Sequence, residues 1–215
     1  MLFGPAGRYG GLTTLLPVLV LASLAAWLAF LNLDFPYGIH PDERVKVAFA
    51  QGEHHSYRHP PLLIILARLG GWLSSASTDL EVLTVGRSVS ALASVGASVV
   101  LYFVLKQFSA GLHAFLWSCV FATSPAIAVH AHFFKEDALL VFAICLGLHA
   151  LMRLKLRAGA LDLAYFGLAL GLAASAKYVG VINSLVLACA PVGAACRLSD
   201  ELQADPAIAI CANPL

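Results

Sequence analysis

Residues 61–75, PLLIILARLGGWLSS, decide how the rest of the chain is threaded. The stretch is apolar enough to avoid water, yet it carries Arg68 near its middle and contains Gly70-Gly71. A helical bilayer crossing takes about 20 apolar residues, and this run falls short. Proline is tolerated at the first helical position, so Pro60-Pro61 suits a helix start. The segment therefore reads as a short helix lying in the membrane interface.

Its surroundings set the class. The 215-residue chain is 60% hydrophobic and 12% charged, with a mean hydropathy of +0.84. Soluble domains run near a quarter charged, so this is the composition of an integral membrane protein. The net charge is +1 and no basic block interleaved with aromatics appears, which leaves membrane lipids as partners and no nucleic acid. The five cysteines show no CxxC spacing and read as inert thiols.

Long apolar runs occupy residues 12–33, 82–105, 111–129, 137–152, 161–178 and 180–196. Backbone polar groups in lipid must be satisfied internally, so these runs are helices. The first exceeds the roughly 7–15 apolar residues of a cleaved signal peptide and is expected to stay as a span. The spacing Thr78-x-x-Glu81 predicts a capping box opening the second run. The expected fold is an all-α integral membrane protein with about six transmembrane helices. One or two interfacial helices are expected in a first outer loop at 34–81. Residues 1–196 form the membrane unit and 197–215 a short cytoplasmic tail, of the kind a truncation would leave.

If 61–75 does not cross and the N-terminus is cytoplasmic, Lys106, Arg153, Lys155, Arg157 and Arg197 fall inside. That agrees with the positive-inside tendency. The same threading puts the 34–81 loop, the 130–136 turn and Lys177 on one outer face.

Two polar clusters on that face attract attention. Asp42-Glu43 follows His40-Pro41, and an acidic pair just outside a span can act as a general base, bind a divalent metal or simply end a loop. In HAHFFKED, 130–137, His132 and Glu136 lie four apart, on one face if a helix has begun. Asp137 opens an apolar helix, where the dipole stabilises a carboxylate. Lys177 closes GLALGLAASAKYVG, either snorkelling to the boundary or meeting a phosphate as a point charge. Gly167, Gly171, Ala173, Ala174 and Ser175 read as helix-packing surface. Asp42, Glu136 and Asp137 are the candidate ligands for a divalent metal ion, and His40, His54, His55, His59, His130 and His132 are expected to face outward without zinc-signature spacing.

In this order the motifs resemble the polyprenyl-phosphate-dependent GT-C glycosyltransferases, in particular the bacterial protein-mannosyltransferase-like and aminoarabinose-transferase-like branch. HPDERVKVA, RHPPLLIILARLGGW, FFKEDALLVFAI and GLALGLAASAKYVG carry the resemblance, which covers residues 12–195. It implies a bacterial inner-membrane enzyme transferring a sugar from a polyprenyl-phosphate-linked donor to a lipid, glycan or protein hydroxyl at the outer face. Asp42 is implied as general base, with Glu43 its companion and Asp137 a second acid on the same cavity. Lys177 with Tyr178, and Arg58 with His59 before the double proline, are the implied substrate-binding positions. His59 stands where relatives often carry a lysine. Family members have around ten or more spans, so the chain reads as an N-terminal part, a frameshifted product or an inactive remnant. The rival expectation is a small metal or solute transporter with a histidine-rich vestibule.

Overall fold

The computed structural model describes residues 11–35, 40–53, 60–157 and 159–189. All regular structure among them is helical: α1 (Gly11–Phe30), α2 (Pro41–Gln51), α3 (Leu62–Ser74), α4 (Asp79–Leu105), α5 (Gly111–Ala122), α6 (Pro125–His132), α7 (Glu136–Arg157), α8 (Ala160–Ala176) and α9 (Val179–Cys189). By length and composition α4 and α7 suffice to cross a membrane, and the α5–α6 pair together makes a third candidate. The apolar helices α1, α3, α8 and α9 are shorter. The tail at 197–215 and the end of the 180–196 run lie outside the described residues.

Helix α4 is the hub, touching α1, α2, α3, α5, α6 and α7. Its buried face is built from small residues, Gly86, Ser90, Ala91, Ser94, Ala97 and Ser98, and small residues let membrane helices approach closely. Large rings fill the spaces: Phe134 against Gly86, Phe142 against Gly96, and Phe103 near His149. These contacts advance together along both chains, so α4 and α7 run parallel. The bent α5–α6 segment makes the return between them.

Helix α1 is antiparallel to α4, since Thr14 accepts from Lys106 Nζ at 2.8 Å while Leu33 lies beside Arg87. Helix α8 is antiparallel to α7. Asp162 pairs with Arg153 at 2.8 Å at one end, and Lys177 with Asp137 at 2.7 Å at the other. The expected capping box is present: Thr78 accepts from the Glu81 N–H, and Glu81 accepts from the Thr78 N–H.

Helix α3 has 13 residues, about 20 Å of helix at 1.5 Å per residue, against a hydrocarbon thickness of about 30 Å. Leu63, Ala67 and Gly71 are buried, while Ile65, Leu69, Trp72 and Leu73 form an open apolar stripe. Arg68 serves neither side. Its guanidinium donates to the Phe49 and Ala50 carbonyls at the end of α2, where the helix dipole favours a cation.

Three expectations need correction. The 111–129 run is not one straight helix; it bends by 55° between Ala122 and Pro125, because proline cannot supply the N–H that would continue the ladder. Residues 130–136 are not one turn either: His130 and His132 finish α6, and Phe133 is extended with φ −104° and ψ 146°. His132 and Glu136 therefore belong to different helices and share no face. Gly167 and Gly171 face open space, where an added methyl group would meet no described residue within 4 Å, and the packed line of α8 is Phe166, Ala169, Ala173 and Ala176.

The contrast between glycines is testable. A Cβ on Gly86 would lie 2.5–2.6 Å from the Phe134 ring, so Gly86→Ala should destabilise by ~1–3 kcal/mol through overpacking. Gly171→Ala, in open space, should be neutral or gain up to ~1 kcal/mol from helix propensity. Thermal unfolding of the two variants in detergent checks the ranking.

Candidate functional site

One end of the bundle gathers the start of α2, the α6–α7 junction and the end of α8. Helix α2 begins through His40, whose Nδ1 accepts from the Asp42 N–H at 3.2 Å, with Pro41 at the first helical position. His40 is thereby used as a cap. Gly52 ends the helix with φ 87°, the left-handed conformation that glycine adopts without strain.

Glu43, one residue on from Asp42, points the other way. Both it and Arg87 of α4 have fully buried side chains. Arg87 Nε and Nη2 donate to the two Glu43 oxygens at 2.9 and 2.8 Å, and Nη1 donates to the Leu33 and Phe35 carbonyls at 3.0 and 2.7 Å. The guanidinium also stacks 3.6 Å from the Phe35 ring centroid. Glu43 Oε1 further accepts the Phe134 N–H at 3.0 Å. Its hydrogen-bonding capacity is spent on the scaffold, so the companion of Asp42 is an inward-facing carboxylate.

Lys46 lies three residues along α2, on the same face. Its ammonium donates to the Phe134 carbonyl at 3.0 Å and to Glu136 at 2.7 Å. Burial pushes Lys46 below the usual lysine range, opposed by the Glu136 carboxylate. Helix α2 therefore grips both polar atoms of Phe134, and Phe134 itself is buried against Gly86. This fixes the Phe133–Lys135 link between α6 and α7, which turns back on itself through the Lys135 N–H and the Phe133 carbonyl.

Lys177 is positioned by backbone. It is extended (φ −154°, ψ 144°) between α8 and α9, its carbonyl accepting from the Gly180 N–H at 2.7 Å. Any Cβ on Gly180 would run into the Ala173 carbonyl, so the corner closes only with glycine there. Lys177 then reaches Asp137 in the first turn of α7 at 2.7 Å. The ammonium thus has a carboxylate partner, and 30% of its side chain is exposed.

The result is two carboxylates at one rim. Asp42 is 55% exposed, with Lys135 Nζ 3.7 Å from Oδ2. Asp137 is 22% exposed, paired with Lys177, and has His130 Nδ1 3.7 Å from its Oδ2. That His130 nitrogen is buried and has no hydrogen-bond partner. His132 is turned away, its ring nitrogens against the Ala128 and Leu31 carbonyls at 2.6 and 2.9 Å. Tyr178 is half exposed beside Lys177. Arg58, His59, His54 and His55 lie outside the described residues.

The donor set does not fit a metal ion as arranged. Among the described residues no three His, Cys, Asp or Glu side chains converge. Glu136 is turned inward to Lys46, and Asp137 is already neutralised by Lys177.

Sequence reasoning missed Arg87 and Lys46 as organising residues. The signal was present: a lone arginine inside an apolar run is expensive and implies a buried acid nearby.

Comparison with known proteins places the chain. The sequence model of the dolichyl-phosphate-mannose-protein mannosyltransferase family matches residues 43–204. Among solved structures, the S. cerevisiae protein O-mannosyltransferase Pmt1-Pmt2 complex bound to the sugar donor superposes with a TM-score of 0.71 at 23% identity. The match covers 80% of this chain but 26% of that one, so the chain spans about a quarter of that length. The likeness is one of fold. No curated protein sequence matches.

Removing one member of the buried pair should be severe. Arg87→Met leaves Glu43 uncompensated and should cost ~3–5 kcal/mol. Adding Glu43→Gln, which still offers an oxygen to the Phe134 N–H, should recover at least half of the loss. Unfolding of the single and double variants measures the difference.

Proposed function

Because the chain belongs to the dolichyl-phosphate-mannose-protein mannosyltransferase family, we propose that it transfers mannose from a polyprenyl-phosphate-linked donor to an acceptor hydroxyl. The observation that carries this reading is the Lys177–Asp137 pair, held at the same bundle end as the exposed Asp42. A lipid-linked donor lives in the bilayer, so its phosphate is presented at headgroup depth. There Lys177 receives it as a point charge, while Asp137 holds the ammonium until the donor arrives. Tyr178 stands beside that phosphate.

Asp42 takes the proton from the acceptor hydroxyl as the acceptor oxygen attacks the anomeric carbon. Its exposure gives the acceptor access. Glu43 acts at one remove as a positioning residue: its bond to Arg87 fixes the turn of α2 on which Asp42 stands. Arg58 and His59 complete the lid by family resemblance. No step is assigned to a metal. The active rim faces the outer side of a bacterial inner membrane, with the N-terminus cytoplasmic. The acceptor is a lipid, glycan or protein.

The test is sugar transfer from polyprenyl-phosphate mannose by membranes containing the full chain. Asp42→Asn should lower turnover by ~10²–10⁴-fold, the range for loss of a general base, with membrane insertion intact. Unchanged turnover would refute the role of Asp42. Lys177→Ala should weaken donor binding by about tenfold or more, as expected for a charge-assisted contact, and equilibrium binding in nanodiscs reads it.

A further inference from the structure

Lys135 remains unused by this mechanism, and its setting differs from that of its neighbours. Lys46, Arg87 and Lys177 each hold a carboxylate at 2.7–2.8 Å. Lys135 Nζ stands 3.7 Å from Asp42, beyond hydrogen-bond distance. Its backbone, by contrast, is tightly fixed. The Lys135 N–H is 2.7 Å from the Phe133 carbonyl, and Ser90 Oγ donates to the Lys135 carbonyl at 3.2 Å. The preceding residue is the one gripped by Glu43 and Lys46. A firm base thus carries a loosely engaged ammonium. Its charge also acts on Asp137, the carboxylate that holds Lys177.

We propose that Lys135 is a further catalytic residue, the cation that meets the charge developing on the departing phosphate; this rests on the reading of Lys177 given above. A polyprenyl-phosphate sugar is a phosphodiester with one negative charge. As the acceptor oxygen bonds to the anomeric carbon, the bond from that carbon to the phosphate oxygen breaks. Its electron pair stays on the phosphate, which becomes a monoester approaching two negative charges. The acceptor proton passes to Asp42.

Lys177 answers the first charge, and the second needs another cation. Asp42 loses its own charge on taking the proton, so its attraction for Lys135 fades in the step in which the phosphate gains charge. An ammonium shared between Asp42 and the phosphate is therefore bound more strongly in the transition state than in the ground state, the condition for raising turnover.

The two ligand forms separate the roles without needing catalysis. The full chain in nanodiscs is titrated with undecaprenyl phosphate, a monoester, and with undecaprenyl-phosphate mannose, a diester. Wild type should prefer the monoester. Lys135→Ala and Lys135→Met should lower monoester affinity by about tenfold, a typical share for one charge-assisted contact, and change diester affinity by less than about threefold. Lys135→Arg, which keeps the charge, should retain the preference.

Equal loss for both ligands, or loss for neither, overturns the proposal for Lys135. If Lys177→Ala weakens both ligands while Lys135→Ala is inert, only this inference fails. If Lys177→Ala is also inert, the underlying donor-site reading fails with it. Circular dichroism and gel filtration of each variant confirm the fold, and with two independent replacements at position 135 the comparison does not hang on one substitution.

Discussion

A fully buried carboxylate and guanidinium, Glu43 and Arg87, hold this molecule's polar end in place. Charges in such a setting are tolerated only when their hydrogen-bonding capacity is satisfied. Here that requirement recruits four separate pieces of chain: α2 through Glu43, α4 through Arg87, the segment after α1 through the Leu33 and Phe35 carbonyls, and the α6–α7 link through the Phe134 N–H. None of these contacts is local in sequence. The pair makes the polar segment around α2 a fixed part of the bundle, and the orientation of α2 follows from it.

Division of labour between adjacent residues follows too. On α2, Glu43 and Lys46 face inward, so Asp42 is left on the outer side. At the start of α7, Glu136 turns in to Lys46 while Asp137 turns out to Lys177. Each acidic doublet thus supplies one structural and one accessible carboxylate. Helical geometry enforces this, since neighbours in a helix point about 100° apart. The inward members make the scaffold, and the outward members are available to chemistry.

Much of the architecture was legible in the sequence because hydropathy and capping are local signals. The run from Leu62 through Leu73 was too short to cross, and Thr78 with Glu81 marked the start of α4. The meeting of Asp137 with Lys177 was accessible as an expectation because threading alternates the ends of helices. What escaped was whatever depended on pairing at long range. Glu43 and Arg87 are 44 residues apart, and nothing in the immediate context of HPDERV says that its second acid is buried. The bend at Pro125 was missed because AIAV continues the apolar pattern across it. The packed line of α8 was read correctly at Ala173 and wrongly at Gly167 and Gly171, which look like contact residues by size yet face open space while Phe166, Ala169 and Ala176 join Ala173 in the contact.

The corner between α8 and α9 is closed by backbone against backbone, with Gly180 lying over the Ala173 carbonyl. Farther along, Ser184 Oγ donates to the Leu170 carbonyl at 2.9 Å and adds a side-chain tie between the two helices. Leu168, Ile182 and Leu185 on the two helices are exposed apolar residues. Apolar character is all that an exposed position in a membrane protein requires, whereas the place of the Lys177 ammonium depends on residue 180 having no side chain beyond a hydrogen atom.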